Sequence, residues 1–395
     1  MTLVLQKVEE IPPLPAAVQR IIQLTQDVEA DEHEIIQVIS LDEALTARIL
    51  HVANSAFYGF SQRIATVSQA VMVLGLRGLR NLTLGIAAIG FKFGKPKQDV
   101  FGVDRVDFWR HSMAVATISN ELTKLLHYGE ADETFVGGLL HDIGKVVFLG
   151  FFEDEYCEVL SKSAHSDRCL FELEKEMFGI DHAGVGRELC RHWNIPPLLT
   201  RIVANHHLPQ QSKGSPSEED RRAFLVRMAD NLARILQIGN DGEPCVEMDF
   251  LKLIESNHLH LSELNQLLVE LPDQVAKVES LFELQADKEG NEMRCPKSKV
   301  AGVVLSHERE AAIASMGLVT LGHTLTPVGE ESVKSADWAG VVTDDNSLTP
   351  ELRVVLEERQ IPLLNFPSWR ETQIQKGARI PVRSMHMWMK EHLAH

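Results

Sequence analysis

The sequence predicts a mostly helical protein that ends in a small α/β unit. The first observation is that apolar residues recur every three or four positions through most of residues 1–286, which is the period of amphipathic helices. The second is that short apolar runs alternate with short helix-like stretches after residue 300, a pattern typical of a small unit with a parallel sheet. A chain of 395 residues is also long enough to expect two domains.

The first helical lobe is expected at about residues 1–95. The helical period is clear from Val18 to Ile22 and again from Ile35 to Ile39. Thr66 precedes a further apolar run and is a predicted helix cap, because its hydroxyl can accept a hydrogen bond from an amide that the first turn leaves unpaired. Gly75 is predicted to lie in a turn.

A second helical lobe is expected at about residues 104–286, with breaks at glycines, at a Pro-Pro pair and in a polar stretch. Residues 287–299 begin with a charged, glycine-containing segment and are predicted to be a linker. Residues 300–395 form the predicted α/β unit. Its expected strands are VAGVVLS (300–306), LVTLG (318–322), WAGVVTDD (338–345) and IPLLNF (361–366).

The composition limits the classes of partner. Hydrophobic residues make up 44% of the chain, which is enough for a core. A formal net charge of -17, with no basic run to offset it, would repel a phosphate backbone and argues against nucleic-acid binding. Since no long apolar window marks a membrane segment and the cysteines lack paired spacing, we expect a cytoplasmic protein with no membrane partner.

The strongest chemical signal is an adjacent His141 and Asp142 at the end of an apolar helical run, in LLHDIGK. Imidazole and carboxylate together suit a divalent cation of intermediate hardness, such as Fe, Mn or Zn. Lys145 follows closely, where it could neutralise a phosphate oxygen. A dipeptide is a weak signal by itself in a chain with 17 histidines.

Other metal-ligating residue types accompany this pair on predicted helices or at helix ends. They are Asp107, His111, His182, His206, His207 and Asp230. Asp107 and His111 are four residues apart and therefore share one helix face. A ring of histidines and carboxylates from several helices is how metal sites are built in the core of a bundle. One metal needs about four of these ligands, and two metals could use nearly all of them.

The order of these residues resembles a known superfamily. His111, His141-Asp142 and Asp230 follow the ligand order of the HD phosphohydrolases, and His182 with His206-His207 is similar to the additional positions of the HD-GYP branch. Over about residues 10–240 the chain resembles the HDOD family, in segments that include IPPLPAAVQRIIQL, ISLDEALTARILHVANSAFYG, FVGGLLHDIGKVV and IVANHHLP. The C-terminal unit is similar to a truncated receiver or flavodoxin-like module.

The HDOD resemblance implies a bundle of the HD type, and a bacterial signalling module that acts on a protein partner and has lost catalysis. After His207 the chain reads LPQQSKG, without the Gly-Tyr-Pro element of the HD-GYP branch. The first hypothesis is therefore a regulatory scaffold that keeps one or two metal ions. The second is a metal-dependent phosphohydrolase that uses the same ligands. The third is a nucleotide sensor without turnover.

Two alternatives that need no metal stay open at this point. The histidines and aspartates could form a buried polar network that orients the helices of a former active site. For the second metal, Asp181 next to His182 could be a helix cap, and His206-His207 could be a surface turn. Lys145 could be a solvated helix residue rather than a phosphate contact.

Overall fold

The fold is defined by a computed structural model of the chain. It describes residues 3–26, 32–55, 58, 60, 62–90, 105–164, 166, 168–208, 217–243, 245–247 and 261–281, with strand segments at 300–304, 324–325, 338–343, 363–365 and 379–381. The predicted linker at 287–299 and the predicted helices of the C-terminal unit lie outside these residues.

The N-terminal lobe is helical, as predicted. Its helices are α1 (Leu3–Glu10), α2 (Ala16–Gln26), α3 (Glu32–Ser40), α4 (Glu43–Ala53) and α5 (Val67–Gly90). The periodic residues of the sequence form its core: Ile21 of α2 and Ile35 and Ile39 of α3 pack with Ile49 and Leu79 in one buried apolar cluster. Amphipathic helices of this length are stabilised mainly by such packing rather than by intrinsic propensity.

Helix α5 begins at a capping box and breaks once. The Thr66 hydroxyl accepts a hydrogen bond from the amide of Gln69 at 3.2 Å, and the Gln69 side chain accepts one from the amide of Ala65 at 2.7 Å. The predicted cap at Thr66 is therefore confirmed. At Gly75 the backbone leaves the helical region, with φ 67° and ψ 170°, so that α5 consists of two helical segments. Gly78 lies inside the second of them.

The second lobe carries the site. Its helices are α6 (Arg105–Leu126), α7 (Ala131–Leu140), α8 (Lys145–Phe151), α9 (Glu153–Ala164), α10 (Leu170–Phe178), α11 (His182–His192), α12 (Pro197–Asn205) and α13 (Glu218–Ile235). A further helix, α14, spans Leu261–Leu281. Helix α7 packs against α5, α6 and α12, which explains why its sequence is apolar on nearly every side.

Among the described residues, two helical stretches are long and apolar enough to cross a membrane. They are Val67–Gly90 and Ala131–Phe151, and the share of each apolar window that is buried inside the protein is 61% and 78%. The second stretch also contains His141, Asp142 and Lys145, which a bilayer core would disfavour. Packing in the protein core therefore accounts for the apolar composition of both stretches.

The C-terminal unit contains the predicted parallel sheet. Strands β2 (Val300–Val304), β3 (Thr324–Leu325), β4 (Trp338–Thr343) and β5 (Leu363–Asn365) lie in the order β3-β2-β4-β5, and each neighbouring pair is parallel. Three of these strands fall within the predicted runs. The run predicted at 318–322 lies outside the described residues, and β3 follows it.

A second, antiparallel pair joins β1 (Cys245–Glu247) to β6 (Arg379–Pro381). The sequence predicts helix and loop up to residue 286, so β1 is a correction. Its three residues are too few to display the alternation that identifies a strand, and its partner is distant in the sequence.

The chain divides into two compact units. The first comprises Met1–Ala233, Ile238–Glu243 and Asp273–Gln285, and the remaining segments form the second. The predicted boundaries at residues 286 and 299 stay predictions. All the site residues described below belong to the first unit.

Candidate metal centre

The His-Asp pair lies where α7 ends and the chain turns into α8. Leu139 and Leu140 are buried and anchor the end of α7, and the next residues, His141 and Asp142, are fully buried as well. The Nδ1 atom of His141 donates a hydrogen bond to the carbonyl oxygen of Gly138 at 2.7 Å. Since that bond keeps a proton on Nδ1, the Nε2 atom is the one that would present a lone pair to the interior when the ring is neutral.

Two further histidines are held in the same way. The Nδ1 atom of His206, at the end of α12, donates to the carbonyl oxygen of Val203 at 2.8 Å. The Nδ1 atom of His182, at the start of α11, donates a hydrogen bond to the Glu174 carboxylate at 2.6 Å. A hydrogen bond from one ring nitrogen that leaves the other free for a cation is the usual arrangement of metal-ligating histidines.

The Nε2 atoms converge on the Asp142 carboxylate. Asp142 Oδ2 is 3.3 Å from His141 Nε2, and Asp142 Oδ1 is 3.2 Å from His182 Nε2 and 3.8 Å from His206 Nε2. His207 extends this side of the cluster, with its Nε2 atom 2.7 Å from His182 Nε2. His206 and His207, the predicted ligands for which a surface turn was the alternative, are therefore buried and half-buried parts of the cluster.

Helices α6 and α13 complete the other side. His111 Nε2 of α6 is 3.0 Å from Asp230 Oδ1 of α13, and the same carboxylate oxygen is 3.7 Å from His141 Nε2. His111, Asp230 and His141 are each at most 1% exposed. The four residues that match the HD ligand order, Asp142 included, are thus brought together by two helices and one turn.

Within this cluster of described residues, three groups of ligand atoms are close enough to hold a cation, and within each group the atoms lie within 4.8 Å of one another. The groups are His111, His141 and Asp230; His111, Asp142 and Asp241; and His182, His206 and His207. We refer to them as the first, second and third ligand groups. The set of imidazoles and carboxylates suits a divalent ion of the Mn, Fe or Zn type.

Two glycines allow the elements to approach this closely. A Cβ atom on Gly144 would lie 2.0 Å from the carbonyl oxygen of His182, so any side chain there would push α11 away from the His-Asp turn. Gly239 has φ 71° and its Cβ would lie 2.2 Å from the amide nitrogen of His111. Both positions therefore require glycine if the histidines are to reach the cluster.

A second observation also indicates that these side chains could bind a cation. The Nε2 atoms of His141 and His206 are fully buried and make no hydrogen bond with any part of the chain that the structure describes. Buried polar atoms without a partner are rare in folded proteins, and a bound ion is one of the standard explanations. The Oδ1 atom of Asp142 is likewise without hydrogen-bonding geometry toward the described residues.

Electrostatics on the Asp142 side stabilise an ionised carboxylate and a protonated His141. Burial alone would lower the pKa of His141, but the carboxylates of Asp142 and Asp230 outweigh burial and raise it to about 10. Burial would raise the pKa of Asp142, but the neighbouring His141 and Lys145 hold it well below its usual range. A metal ion would therefore meet an ionised Asp142 carboxylate, but it would have to displace a proton from the His141 ring, because a ligating imidazole must be neutral.

The pKa values of the neighbouring His182 and His206 shift in opposite directions. Burial lowers the pKa of His182, but the Glu174 carboxylate outweighs it and raises that pKa to about 9. For His206, burial and the positive charges of His141 and His182 act together and lower the pKa to about 3. The His206 imidazole is therefore neutral near pH 7, which is the state that a metal ligand requires.

The two remaining candidate residues, Asp107 and Lys145, differ in whether they reach the cluster. Asp107 is not brought into the cluster, since its carboxylate pairs with Arg110 at 3.1 Å on the same helix and is 37% exposed. Sharing a helix face with His111 was not sufficient, because Asp107 lies one turn nearer to the start of α6. Lys145 is not solvated: it is 1% exposed and its Nζ atom lies 2.7 Å from Asp142 Oδ2.

Two residues of the site were not predicted from the sequence. Glu174 orients His182 and also accepts a hydrogen bond from the Tyr156 hydroxyl at 2.8 Å. Asp241 joins the second ligand group from the turn after α13. Asp241 lies in NDGE, a composition typical of a surface turn, so its burial could not be predicted from the sequence.

The family comparison agrees with this geometry. A model of the HDOD domain family matches residues 11–209, which is half of the chain. The chain belongs to the HDOD family. The matched residues include His111, the His-Asp pair, His182 and the pair His206-His207, whereas Asp230 and Asp241 lie beyond them.

Similar proteins support the HDOD assignment. The chain is 28% identical over 239 residues to an uncharacterized protein of Treponema pallidum (strain Nichols), a match that covers 60% of this chain and 44% of that protein. The chain thus spans less than half the length of this relative.

Solved structures support the HDOD fold. An HDOD domain protein of unknown function from Geobacter sulfurreducens has a TM-score of 0.55 at 24% identity, covering 71% of this chain and 98% of that one. A protein from Shewanella amazonensis SB2B, which its name assigns provisionally to the phosphohydrolases, has a TM-score of 0.52 at 25% identity, covering 72% and 97%.

Proposed function

We propose that this HDOD protein is a cytoplasmic regulatory protein that acts through contacts with a signalling partner and retains a divalent metal centre in its helical unit. One observation carries the proposal: three buried imidazoles have their Nδ1 atoms held by acceptors and their Nε2 atoms directed at one carboxylate. A buried network without a metal would need partners for the Nε2 atoms of His141 and His206, which make no hydrogen bond with the described residues. Burial of both candidate membrane helices supports a location away from the membrane.

The first and third ligand groups, with Asp142 between them, would hold the ion or ions. A bound cation would supply the positive charge that links α6, α11, α12 and α13 to the His-Asp turn. The chain itself keeps His141, His182 and His206 in the ligating orientation through Gly138, Glu174 and Val203. Metal binding at such a place would stabilise one arrangement of these helices. A partner protein could recognise that arrangement.

The burial of the site residues favours a regulatory role over catalytic turnover. His141, Asp142, His182 and His206 are 0% exposed, and His207 is half-buried. A phosphodiester would have to reach these atoms for hydrolysis. The chain also lacks the Gly-Tyr-Pro element after His207, a departure that argues against cyclic-dinucleotide hydrolysis.

The test is the metal content of protein purified without chelator, measured by elemental mass spectrometry. We expect stoichiometric Mn, Fe or Zn in the wild type and its loss in a His141→Ala, Asp142→Ala variant. An empty wild-type protein that also fails to bind these ions on reconstitution would remove the metal centre from the proposal. Crosslinking in cells, with the same variant as control, should identify a partner that the wild type retains and the variant loses.

A second candidate function is a metal-dependent phosphohydrolase. It is favoured by the complete set of residues in the HD ligand order and by the name of the Shewanella relative. The metal would serve as a Lewis acid toward a phosphoryl oxygen. Hydrolysis of bis(p-nitrophenyl) phosphate or of a nucleotide by the loaded protein, abolished in the His141→Ala, Asp142→Ala variant, would favour this candidate over the regulatory one.

A further inference from the structure

Lys145 places a buried ammonium group beside Asp142. It begins α8, one turn after Asp142, and is 1% exposed. Its Nζ atom lies 2.7 Å from Asp142 Oδ2, 2.8 Å from Asp241 Oδ2 and 3.1 Å from the backbone oxygen of Asp241. These three acceptors match the three N–H donors of an ammonium group.

Those acceptors include two atoms of the second ligand group. The group consists of His111, Asp142 and Asp241, and His111 Nε2 is 3.9 Å from Asp241 Oδ2. Asp241 is only 3% exposed, and its other carboxylate oxygen accepts a hydrogen bond from the amide of Glu243 at 3.3 Å. The ammonium group therefore lies between two carboxylate oxygens that are otherwise arranged for a cation.

We infer that Lys145 is an internal counter-cation that fills the second ligand group and competes with a divalent ion for Asp142 and Asp241. Two buried carboxylates this close repel each other and need a positive charge between them. The ammonium supplies that charge from within the chain. A divalent ion and the ammonium cannot share the position, because both need Asp142 Oδ2 and Asp241 Oδ2.

The inference rests on the proposed metal centre and adds a specific claim to it. In the wild type, metal should bind at the first or third ligand group while Lys145 holds the second. The lysine would then keep Asp142 and Asp241 in place when metal is scarce. Lys145 is thereby assigned a role in setting the number of bound ions rather than in contacting a phosphate.

The experiment compares metal binding by wild type and Lys145→Met, a variant of similar side-chain length without the charge. Isothermal titration with Mn²⁺ and elemental analysis are the readouts, and neither needs an activity. We expect Lys145→Met to bind one more equivalent of Mn²⁺ than the wild type, and Asp241→Asn added to Lys145→Met to remove that gain. Lys162→Met, at an exposed lysine paired with Glu158, is the control and should bind as the wild type does.

The outcomes separate this inference from the proposed function. Equal, non-zero Mn²⁺ binding by wild type and Lys145→Met would overturn the inference and leave the metal centre standing. Binding by Lys145→Met but not by the wild type would support the inference and remove the metal centre from the wild-type protein. Absence of Mn²⁺ from both proteins would overturn both claims.

A second variant covers the case in which Lys145→Met does not fold. Asp241→Asn in the wild-type background keeps the lysine and the shape of the turn. If the ammonium, and not a metal ion, contacts Asp241, this variant should retain the full wild-type complement of Mn²⁺. Loss of one equivalent in Asp241→Asn would make Asp241 a metal ligand in the wild type and would overturn the inference.

Discussion

At the scale of single residues, the orientation of His182 depends on Glu174. This carboxylate accepts hydrogen bonds from the His182 ring at 2.6 Å, from its backbone amide at 2.8 Å and from the Tyr156 hydroxyl at 2.8 Å. All three residues are buried. An ionised partner on Nδ1 raises the basicity of the other ring nitrogen and so strengthens it as a ligand.

Replacing Glu174 with Gln should therefore weaken metal binding. The amide keeps the shape of the side chain but removes the charge, and the loss of such a partner typically lowers metal affinity by about 10- to 100-fold. Isothermal titration with Mn²⁺ measures the change. Glu176→Gln, on the exposed side of the same helix, should bind as the wild type does. Wild-type affinity in Glu174→Gln would show that His182 needs no carboxylate.

At the scale of elements, the close approach of α11 to the His-Asp turn depends on Gly144. Its added Cβ would lie 2.0 Å from the His182 carbonyl oxygen and 2.6 Å from the Gly186 amide nitrogen. Both are backbone atoms and cannot rotate away. The start of α8 and the start of α11 therefore set each other's position, and with it the distance between His141 and His182.

Gly144→Ala should lower the free energy of unfolding by about 3 kcal/mol or more, because overpacking against backbone forces a shift of a whole helix. Chemical denaturation monitored by circular dichroism measures it. The matched control is Gly150→Ala in α8, where nothing lies within 4 Å of the added Cβ. That control should be neutral or stabilising by about 0.5–1 kcal/mol, since alanine favours the helix. Equal effects of the two substitutions would refute the argument from close approach.

The start of α7 is joined to α13 and α5 by buried charges. Glu133 forms an ion pair with Arg222 of α13, and Arg80 of α5 lies 3.8 Å from the same carboxylate. The Glu133 and Arg222 side chains are 9% and 6% exposed. Since the other end of α7 carries the His-Asp pair, these charges fix the helix that positions the site.

Glu133→Gln should cost about 3–5 kcal/mol of stability, because it leaves the buried Arg80 without its counter-charge and Arg222 with only the exposed Glu218. Thermal and urea denaturation provide the measurement. Glu158→Gln breaks an exposed pair with Lys162 and should cost about 0.5 kcal/mol or less. A Glu133→Gln protein as stable as the Glu158→Gln control would mean that the buried pair does not hold α7.

At the scale of the whole molecule, burial controls the reactivity of the thiols. Cys190 of α11 is 0% exposed, and burial raises the pKa of its thiol to about 12. Cys157 of α9 is partly exposed. The thiolate is the reactive species, so Cys190 is protected both by its pKa and by the closed core.

Iodoacetamide at pH 8 should modify Cys157 well before Cys190 in the folded protein. In guanidinium chloride the two cysteines should react at similar rates, because the protection of Cys190 comes from the fold. Peptide mapping by mass spectrometry gives both rates in one sample. Rapid labelling of Cys190 without denaturant would indicate that the helical unit opens around α11.

The sequence by itself determined the helical lobes, the parallel sheet and most of the candidate ligands. Helices α2 and α3 form where the apolar residues have the helical period, and β2, β4 and β5 lie within the apolar runs. Both patterns are local and can therefore be recognised in the sequence. The types and order of His111, His141, Asp142 and Asp230 indicated a metal centre before any geometry was known.

Only the tertiary structure decided which way each polar side chain faces. Asp107 and His111 share a helix face, yet one pairs with Arg110 and the other reaches the cluster. Glu174 and Asp241 enter the site from a helix and a turn whose sequences carry no signal of it. Lys145 meets Asp241 across 96 residues of chain. Contacts between residues so distant arise from packing, which spacing along the chain does not encode.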